Sequence, residues 1–227
     1  MRTGAASVLV DPGQGRATDG RVARGIRARE AIAQALIELL HEGVERPTAR
    51  QLAEHAGVSL RLVFHHFEDM ETVLQSAVAI QVERHWAKLE AVAPDGDLAH
   101  RVRATVRERA RLYEAIAPVR RAAGLAAGRS PTLARELETS RRMLRSQLRH
   151  TFSRELEAYE YGRVATERDL LDALDVATSF ETWDQLRRRT GRSATAARHV
   201  VEQLVAGALT LEQPAAPARR SPAEELD

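Results

Sequence analysis

The chain contains no cysteine among its 227 residues. This absence excludes disulfide bonds, thiolate metal sites and thiol-based redox sensing. The chain also has no apolar run close to the roughly 20 residues that are needed to cross a bilayer. A short apolar stretch, Ala5 to Val10, is ended by Asp11 and Pro12 too early for a secretory signal. We therefore expect no membrane association and a cytoplasmic location.

Motifs that would indicate an enzyme are also missing. The chain has no His-x-x-x-His pair and no glycine-rich phosphate loop. His65 and His66 are adjacent, but neighbouring helical residues point about 100° apart, and no third ligand follows one turn later. We predict a protein that is not an enzyme and that uses neither a metal nor another cofactor.

Lysine is almost absent, since all but Lys88 of the 34 basic residues are arginine, and the net charge is only +2. The arginines are unevenly placed. Residues 1–29 hold six arginines against two aspartates, whereas residues 30–75 hold three arginines against eight acidic residues. The basic arm that precedes the acidic segment is either a contact to nucleic-acid phosphates or the minor groove, or a solvated disordered tail.

Helical periodicity dominates what the chain does contain. Hydrophobic residues make up 44% of the sequence, which is enough for a sizeable core. Ile32, Leu36, Leu39 and Leu40 recur at spacings of three and four, which predicts a first helix over 22–43 that Gly43 ends. The later segments show the same spacing, so we predict an all-α fold.

The segment TARQLAEHAGVSLRLVFHHF, residues 48–67, carries two sets of helix-capping signals. Thr48 and Gln51 have the spacing of a capping box, which starts a short helix. Gly57 is suited to the left-handed conformation that ends it, and Ser59 caps a second helix after a tight turn. Two short helices joined in this way must cross steeply, so the segment predicts a helix-turn-helix.

The second of these helices has an unusual outer face. If Val63 and Phe67 point inward, four other residues point outward: Leu60, Arg61, Phe64 and His65. Exposed leucine and phenylalanine side chains are unfavourable in plain water, but in a DNA groove they can contact thymine methyl groups while Arg61 reaches bases or phosphates. The face therefore favours a DNA-reading helix.

With this pattern the chain resembles the N-terminal domain of TetR-family transcriptional regulators. The resemblance covers about residues 22–80 and rests on PTARQLAEHAGVSLRLVFHHFEDMETVL, in which glycine, serine, an aromatic residue and phenylalanine fall in register. It implies a role in DNA binding for a set of matching positions: Thr48, Ser59, Leu60, Arg61, Phe64, His65 and His66. Thr48 would hold a phosphate through its hydroxyl and backbone. We add Arg50 from its exposed position in the first turn.

Two positions depart from the family pattern. Members usually carry tyrosine at the position of Phe64 and often lysine at that of Met70, and each would contact a phosphate. Each lost contact lowers the salt dependence of binding by about one unit of log–log slope or less. The arginine-rich arm is a candidate for compensation.

The remainder of the chain predicts a helical bundle. The fourth helix is expected to run on to Pro94, the next to end at Pro118, and another to start at the cap Ser130 and Pro131. Two further helices are expected at about 164–190 and 193–210, joined by a tight turn.

The last two predicted helices have broad apolar faces. Two such helices from each of two chains would form a four-helix interface, as they do in the TetR family. The alternative is that these faces are simply core, and we favour dimerisation because one helix-turn-helix contacts too little DNA for specificity. The predicted interface residues are Leu174, Val201, Leu204, Val205 and Ala208.

Aromatic and flexible side chains between residues 98 and 186 are candidates for a pocket that binds an apolar or amphipathic ligand. They are Tyr113, Met143, Phe152, Phe180 and Trp183. For any one of them a plain core role is the more frequent outcome. Arginine clusters at 101–111 and 141–149 would suit an anionic ligand, but we favour solvated faces for them.

These observations predict four parts: a flexible basic tail at 1–20, a DNA-binding domain at 21–80, an effector-binding and dimerisation domain at 81–212, and a disordered tail at 213–227. The predicted function is a homodimeric transcriptional regulator, most readily a repressor, that a small molecule releases from an inverted-repeat DNA operator. Two alternatives stay open: a ligand-independent or nucleoid-associated DNA-binding protein, and an activator of the same family.

Overall fold

The computed structural model describes residues 12–86, 88–159 and 166–210. The predicted tail at 213–227 and residues 1–11 of the predicted arm lie outside the described residues. The described ranges contain α-helices and no strand, which confirms the all-α prediction. The helices are α1 Pro12–His41, α2 Ala49–His55, α3 Leu60–His66, α4 Met70–Trp86, α5 Leu98–Ala127, α6 Pro131–Thr151, α7 Ser153–Tyr159, α8 Glu167–Ala177, α9 Phe180–Asp184 and α10 Ala194–Thr210.

Internal contacts divide the chain into two compact units. The first comprises Met1–Arg84 with Pro118–Ala134, and the second His85–Ala117 with Arg135–Asp227. In the first unit α1, α2 and α3 contact one another, and Ile32, Leu52 and Val63 are among its most buried side chains. This arrangement holds α3 against a core on one side only.

The second unit is built around one apolar cluster. α5, α6, α7, α8, α9 and α10 all contribute to it, and Phe152, Leu171 and Leu174 are almost completely buried there. No helix in the described ranges is both long and apolar enough to pass through a membrane.

The first helix starts at Pro12 and not at residue 22 as predicted. Proline is well tolerated in the first turn of a helix, because the N–H that it lacks would have no intrahelical acceptor there. Val22 and Ile26 are exposed. Hydrophobic periodicity detects only the part of a helix that packs on a core, so it missed this start, and the predicted flexible tail at 1–20 is helical from Pro12.

Two helix ends near prolines were also predicted wrongly. α4 ends at Trp86 and does not reach Pro94; the Leu89 N–H donates to the Trp86 carbonyl at 3.1 Å and closes a tighter turn. α5 continues through Pro118 to Ala127. Proline within a helix removes one backbone hydrogen bond, and a helix that packs along its length tolerates that loss.

The predicted helix over 164–190 is interrupted at Thr178 and Ser179. The Thr178 hydroxyl donates to the Leu174 carbonyl at 2.8 Å as α8 ends, and Ser179 caps α9 by accepting from the Thr182 N–H at 3.1 Å. After α9 the chain forms a π-helical turn at Gln185–Arg189. Serine and threonine compete for backbone groups in this way, and apolar spacing alone does not reveal it.

Candidate functional site

The capping signals of the helix-turn-helix are formed as predicted. The Gln51 N–H donates to Thr48 Oγ1 at 3.3 Å, and the Thr48 N–H donates to Gln51 Oε1 at 2.9 Å, which completes the capping box. Ser59 Oγ accepts from the Leu62 N–H at 3.2 Å at the start of α3. The local sequence therefore sets both helix starts.

The turn between α2 and α3 depends on Gly57. Its φ of 65° lies in the left-handed region that glycine adopts without a steric penalty. The Val58 N–H then donates to the Ala53 carbonyl at 2.9 Å, which satisfies a carbonyl at the end of α2. α3 can therefore begin only a few residues after α2 ends.

α3 presents two different faces. Val63 and the following Phe67 are buried, whereas Leu60 is 38% exposed and Phe64 is 59% exposed. Arg61 and His65 are also exposed on the outer side. The structure thus brings together the four residues that the sequence analysis placed outward.

Cationic side chains beside this face are available for binding. Arg50 in α2 and Arg61 in α3 are exposed, and neither has a hydrogen bond or ion pair within the described part of the chain. A guanidinium that is not held by a neighbour can reach base edges or phosphates without first breaking a bond.

Thr48 is already engaged by its own helix. Its hydroxyl donates to Gln51 Oε1 at 2.9 Å, the same oxygen that accepts from its backbone N–H. Both donors that the family resemblance assigned to a phosphate are therefore used in the capping box. A phosphate contact at Thr48 requires Gln51 to give way.

The two adjacent histidines differ in their surroundings. His65 is exposed, whereas His66 is half-buried, with Cε1 only 3.8 Å from where a Cβ on Gly25 of α1 would stand. Burial lowers the pKa of the His66 imidazole, and His65 and Arg29 lower this pKa further. His66 thus packs on α1. In the described ranges, no cluster of three His, Asp or Glu side chains could hold a metal ion.

Comparison with known proteins agrees with this geometry. Residues 31–77 match the family model described as "Bacterial regulatory proteins, tetR family". The match spans α2, α3 and the turn between them, with the facing parts of α1 and α4. Residues 31–77 therefore form a DNA-binding domain of the TetR type. Regulators of this family are in general transcription factors and not enzymes.

Solved structures of similar fold include two from Rhodococcus. One, a transcriptional regulator from Rhodococcus sp. Rha1, is 23% identical with a TM-score of 0.58, covering 80% of this chain and 95% of its own. The other, described as a TetR-family transcriptional regulator from Rhodococcus sp., is 18% identical with a TM-score of 0.60, covering 81% of this chain and 100% of its own. At these identities the likeness concerns the fold. None of the curated proteins matches the chain.

Arg29, which the sequence analysis placed only in the basic arm, has a structural role in this domain. Its Nη1 donates to the His66 carbonyl at 3.0 Å, and its Nη2 donates to Ser76 Oγ at 3.3 Å. Its guanidinium carbon lies 4.4 Å from the ring centroid of Phe67. Arg29 therefore joins α1 to the end of α3 and to α4, and no pattern within a single helix could have indicated this.

The five residues predicted for the effector pocket differ in burial. Tyr113, Phe152, Phe180 and Trp183 are buried in the core of the second unit, whereas Met143 is exposed. Two of these aromatic residues also form hydrogen bonds. Tyr113 Oη donates to the Thr178 carbonyl at 2.9 Å, and Trp183 Nε1 donates to Glu114 Oε1 at 2.9 Å. These four residues contribute to the core, and their role in binding an effector stays a prediction.

A small open cavity lies elsewhere in the second unit. Its volume is about 190 Å³, and it is lined by His85, Lys88, Leu89, Arg111, Leu112 and Ala115. None of the predicted pocket residues lines it. Arg111 at its edge donates to the Lys88 carbonyl at 2.8 Å and pairs with Glu108 at 2.5 Å, so the guanidinium is already neutralised.

The predicted dimer residues also divide between core and surface. Leu174, Val201 and Val205 are buried in the chain's own core and leave no surface for a partner. Ala208 is half-buried against that core, and Leu204 is 48% exposed. The apolar stripes of α8 and α10 are satisfied mainly by packing on each other, which the stripes alone could not distinguish from an interface.

The arginine cluster at 101–111 was predicted as a solvated face, and this is wrong for two of its members. Arg101 and Arg109 are buried, while Arg103 and Arg107 are exposed. The buried pair is spaced two helical turns apart and so lies on the core-facing side of α5.

Proposed function

We propose that this TetR-family regulator is a homodimeric repressor that reads an operator with α3 and leaves it when a small molecule binds the second unit. The observation that carries the proposal is the outer face of α3, where Leu60 and Phe64 are exposed on a helix whose opposite side is buried. A protein that operates on the chromosome in this way acts in the cytoplasm.

The composition of this face suits a DNA major groove. Exposed apolar side chains beside polar ones commonly mark a binding surface. In the groove, Leu60 and Phe64 can contact thymine methyl groups, and Arg61 can donate two hydrogen bonds to guanine O6 and N7. His65 adds a second polar group on the same side.

Charge contributes less to binding here than the resemblance alone would suggest. Phe64 and Met70 lack the phosphate-binding groups usual at these positions, and Thr48 already donates to Gln51. Arg29 is bonded to His66 and Ser76 and is not available to the arm. Arg50 and the exposed Arg24 and Arg27 of α1 then supply the phosphate contacts, and the salt dependence of binding should be shallow.

Dimerisation would place two copies of α3 on successive major grooves, about 34 Å apart along the DNA. Of the residues predicted for this interface, only Leu204 offers a substantial exposed apolar surface, and Val176 on the neighbouring α8 is 66% exposed. We therefore propose Val176 and Leu204 as the centre of the interface, flanked by Ala208.

Release by an effector follows from a difference in affinity. An effector shifts the population only if it binds the released state better than the DNA-bound one, and moving the ratio from 1:99 to 99:1 needs about 5.5 kcal/mol. With a repressor of this type, transcription from the operator is high when the effector is present or when the repressor's own gene is deleted. An activator gives the opposite result.

The deciding experiment is protection of the DNA upstream of the protein's own gene, with wild type and Arg61→Ala. If Arg61 reads a base, the variant loses about 1–3 kcal/mol on the preferred sequence and tolerates substitution at one position. An equal loss on every sequence would make Arg61 a phosphate contact only. Protection that is indifferent to sequence in wild type would favour a nucleoid-associated protein and refute the proposal.

A further inference from the structure

A column of polar side chains is buried along the core-facing side of α5. Arg101, Thr105 and Arg109 follow one another at intervals of one helical turn, and all three are buried. Both arginines bond to the next part of the bundle, Arg101 to the Thr151 carbonyl and Arg109 to the Leu144 carbonyl of α6. Polar groups at such depth require partners, because burial removes their hydration.

The two buried arginines are neutralised differently. Arg101 forms a bidentate pair with Glu155, at 2.8 Å and 2.6 Å. Arg109, which is only 4% exposed, donates to two neutral acceptors, the Gln147 side-chain oxygen at 3.1 Å and the Leu144 carbonyl at 2.7 Å. Within the described part of the chain, no carboxylate lies within ion-pair distance of Arg109.

The nearest negative charge is already shared. Burial lowers the pKa of Arg109, and Tyr113 and Asp175 oppose that change only in part. Asp175 pairs with Arg141 at 2.7 Å and lies 3.4 Å from Arg145. Asp175 is thus already engaged with guanidinium groups of α6, and Arg109 has no carboxylate of its own.

One buried donor without an acceptor lies one helical turn before Arg109. The Thr105 hydroxyl is buried and has no hydrogen-bond partner, whereas Thr178, Thr190 and Thr210 each donate to the carbonyl four residues earlier. The guanidinium of Arg109 has five N–H groups, and its two bonds leave the others for a further acceptor. Gln147 accepts from Arg109 through its oxygen, which leaves its amide N–H groups as donors.

We propose that Arg109, Thr105 and Gln147 bind the carboxylate of an amphipathic acid, and that this acid is the effector. The inference rests on the proposed function for its regulatory meaning, but the binding site stands on the buried groups alone. A carboxylate can accept hydrogen bonds from these three groups, and its negative charge matches the guanidinium of Arg109, which has no carboxylate within ion-pair distance.

The rest of the ligand should be apolar. Val106 and Ala110 flank Arg109 on α5, and Leu148 follows Gln147 on α6; all three belong to the buried apolar cluster of this unit. An apolar body would therefore meet apolar side chains once its carboxylate reached Arg109. Because Arg109 is almost completely enclosed, the acid can enter only when this core opens, so the bound and free states must differ, as a switch requires.

The test is a comparison of acids with their primary amides on the full-length protein. The probes are octanoate, decanoate, benzoate and 2-naphthoate, each against its amide, with dissociation constants measured by calorimetry. We expect at least one acid to bind wild type about tenfold or more tightly than its amide, because only the carboxylate pairs with the guanidinium.

Two variants at one position separate the site from general acid binding. Arg109→Gln and Arg109→Met should each bring the ratio of acid to amide affinity close to one. The methionine variant leaves no polar group to bury at this position and serves as the second variant should the glutamine variant fail to fold. Arg107→Gln is the matched control on the same helix, because Arg107 is exposed. It should keep the wild-type ratio.

The inference is overturned if no acid binds wild type more tightly than its amide, or if a preference for acids survives both Arg109 variants. DNA binding is measured in parallel. If the protein binds DNA with sequence specificity but shows no preference for acids, the proposed function is retained and the carboxylate site at Arg109 is refuted. If the Arg109 variants lose a preference for acids and the protein binds DNA without sequence specificity, the carboxylate site is retained and the repressor function is refuted.

Discussion

The guanidinium group of Arg29 stacks on the ring of Phe67, with 4.4 Å between the guanidinium carbon and the ring centroid. The same group donates to the carbonyl of His66, the last residue of α3. One side chain from α1 thus holds both the end of the candidate DNA-reading helix and the residue that anchors it to the core. Three predictions concern this first unit and two concern the second.

Arg29→Met should destabilise the protein by about 1–2 kcal/mol, because it removes a cation–π contact and two hydrogen bonds at a partly exposed site. The free energy of unfolding in urea measures this loss. Arg27→Met, two positions earlier on the exposed side of α1, is the control and should change stability by no more than about 0.5 kcal/mol. Equal effects of the two variants would contradict a clamping role.

Thr48→Ala should cost about 1 kcal/mol, because the capping box of α2 is lost. Gln51→Ala should cost a similar amount, and the double variant should cost less than the sum, because both single changes remove the bond from the Thr48 hydroxyl to Gln51 Oε1. Urea unfolding of the three variants completes the cycle. Additive costs would show that the two side chains act separately and that Thr48 is free to hold a phosphate.

His66 should make stability depend on pH below neutrality. Its pKa is lowered in the folded state, so the unfolded chain binds more protons and stability rises with pH in this window. The stability that the neutral His66 imidazole contributes is complete above the ordinary histidine pKa of about 6.5. This stability is lost as the pH falls through the lowered pKa of the folded state. His66→Gln should reduce the fall in melting temperature between about pH 7 and about pH 5. A fall as large as that of wild type would refute this assignment.

Glu155→Ala should destabilise the second unit by about 3 kcal/mol or more, because it leaves the buried guanidinium of Arg101 without its carboxylate. Asp95→Ala, which breaks an exposed pair with Arg154, is the matched control and should cost no more than about 1 kcal/mol. Thermal unfolding of both variants tests the difference. Similar losses of stability in the two variants would show that burial does not determine how much each ion pair contributes to stability.

Leu204→Arg should dissociate the proposed dimer, because it places a charge on the exposed apolar surface of α10. Leu125→Arg is the control, since Leu125 is 84% exposed and lies in the other unit. Sedimentation velocity of the two variants gives the oligomeric state directly. A monomer for the first and a dimer for the second is the expected result, and a dimer for both would move the interface away from Leu204.

Not every part of the fold was equally accessible from the sequence. Pro94 and Pro118 both marked expected helix ends, yet α4 stops before one and α5 passes through the other. Whether a proline ends a helix depends on how much packing remains beyond it. Likewise, the apolar positions of α8 and α10 were recognised correctly, but which of them face the chain's own core depends on how two distant helices meet.

The sequence by itself determined the helix-turn-helix. The caps at Thr48 and Ser59, the turn at Gly57 and the inward direction of Val63 follow from interactions among residues no more than a few positions apart, so a linear pattern contains them. Only the tertiary structure decided the roles of Arg29, Arg101 and Arg109. From the sequence alone, an arginine is expected to be a solvated charge. In the fold, these three arginines lie beside a ring, a carboxylate or a carbonyl from far along the chain, and such partners leave no periodic signal in the sequence.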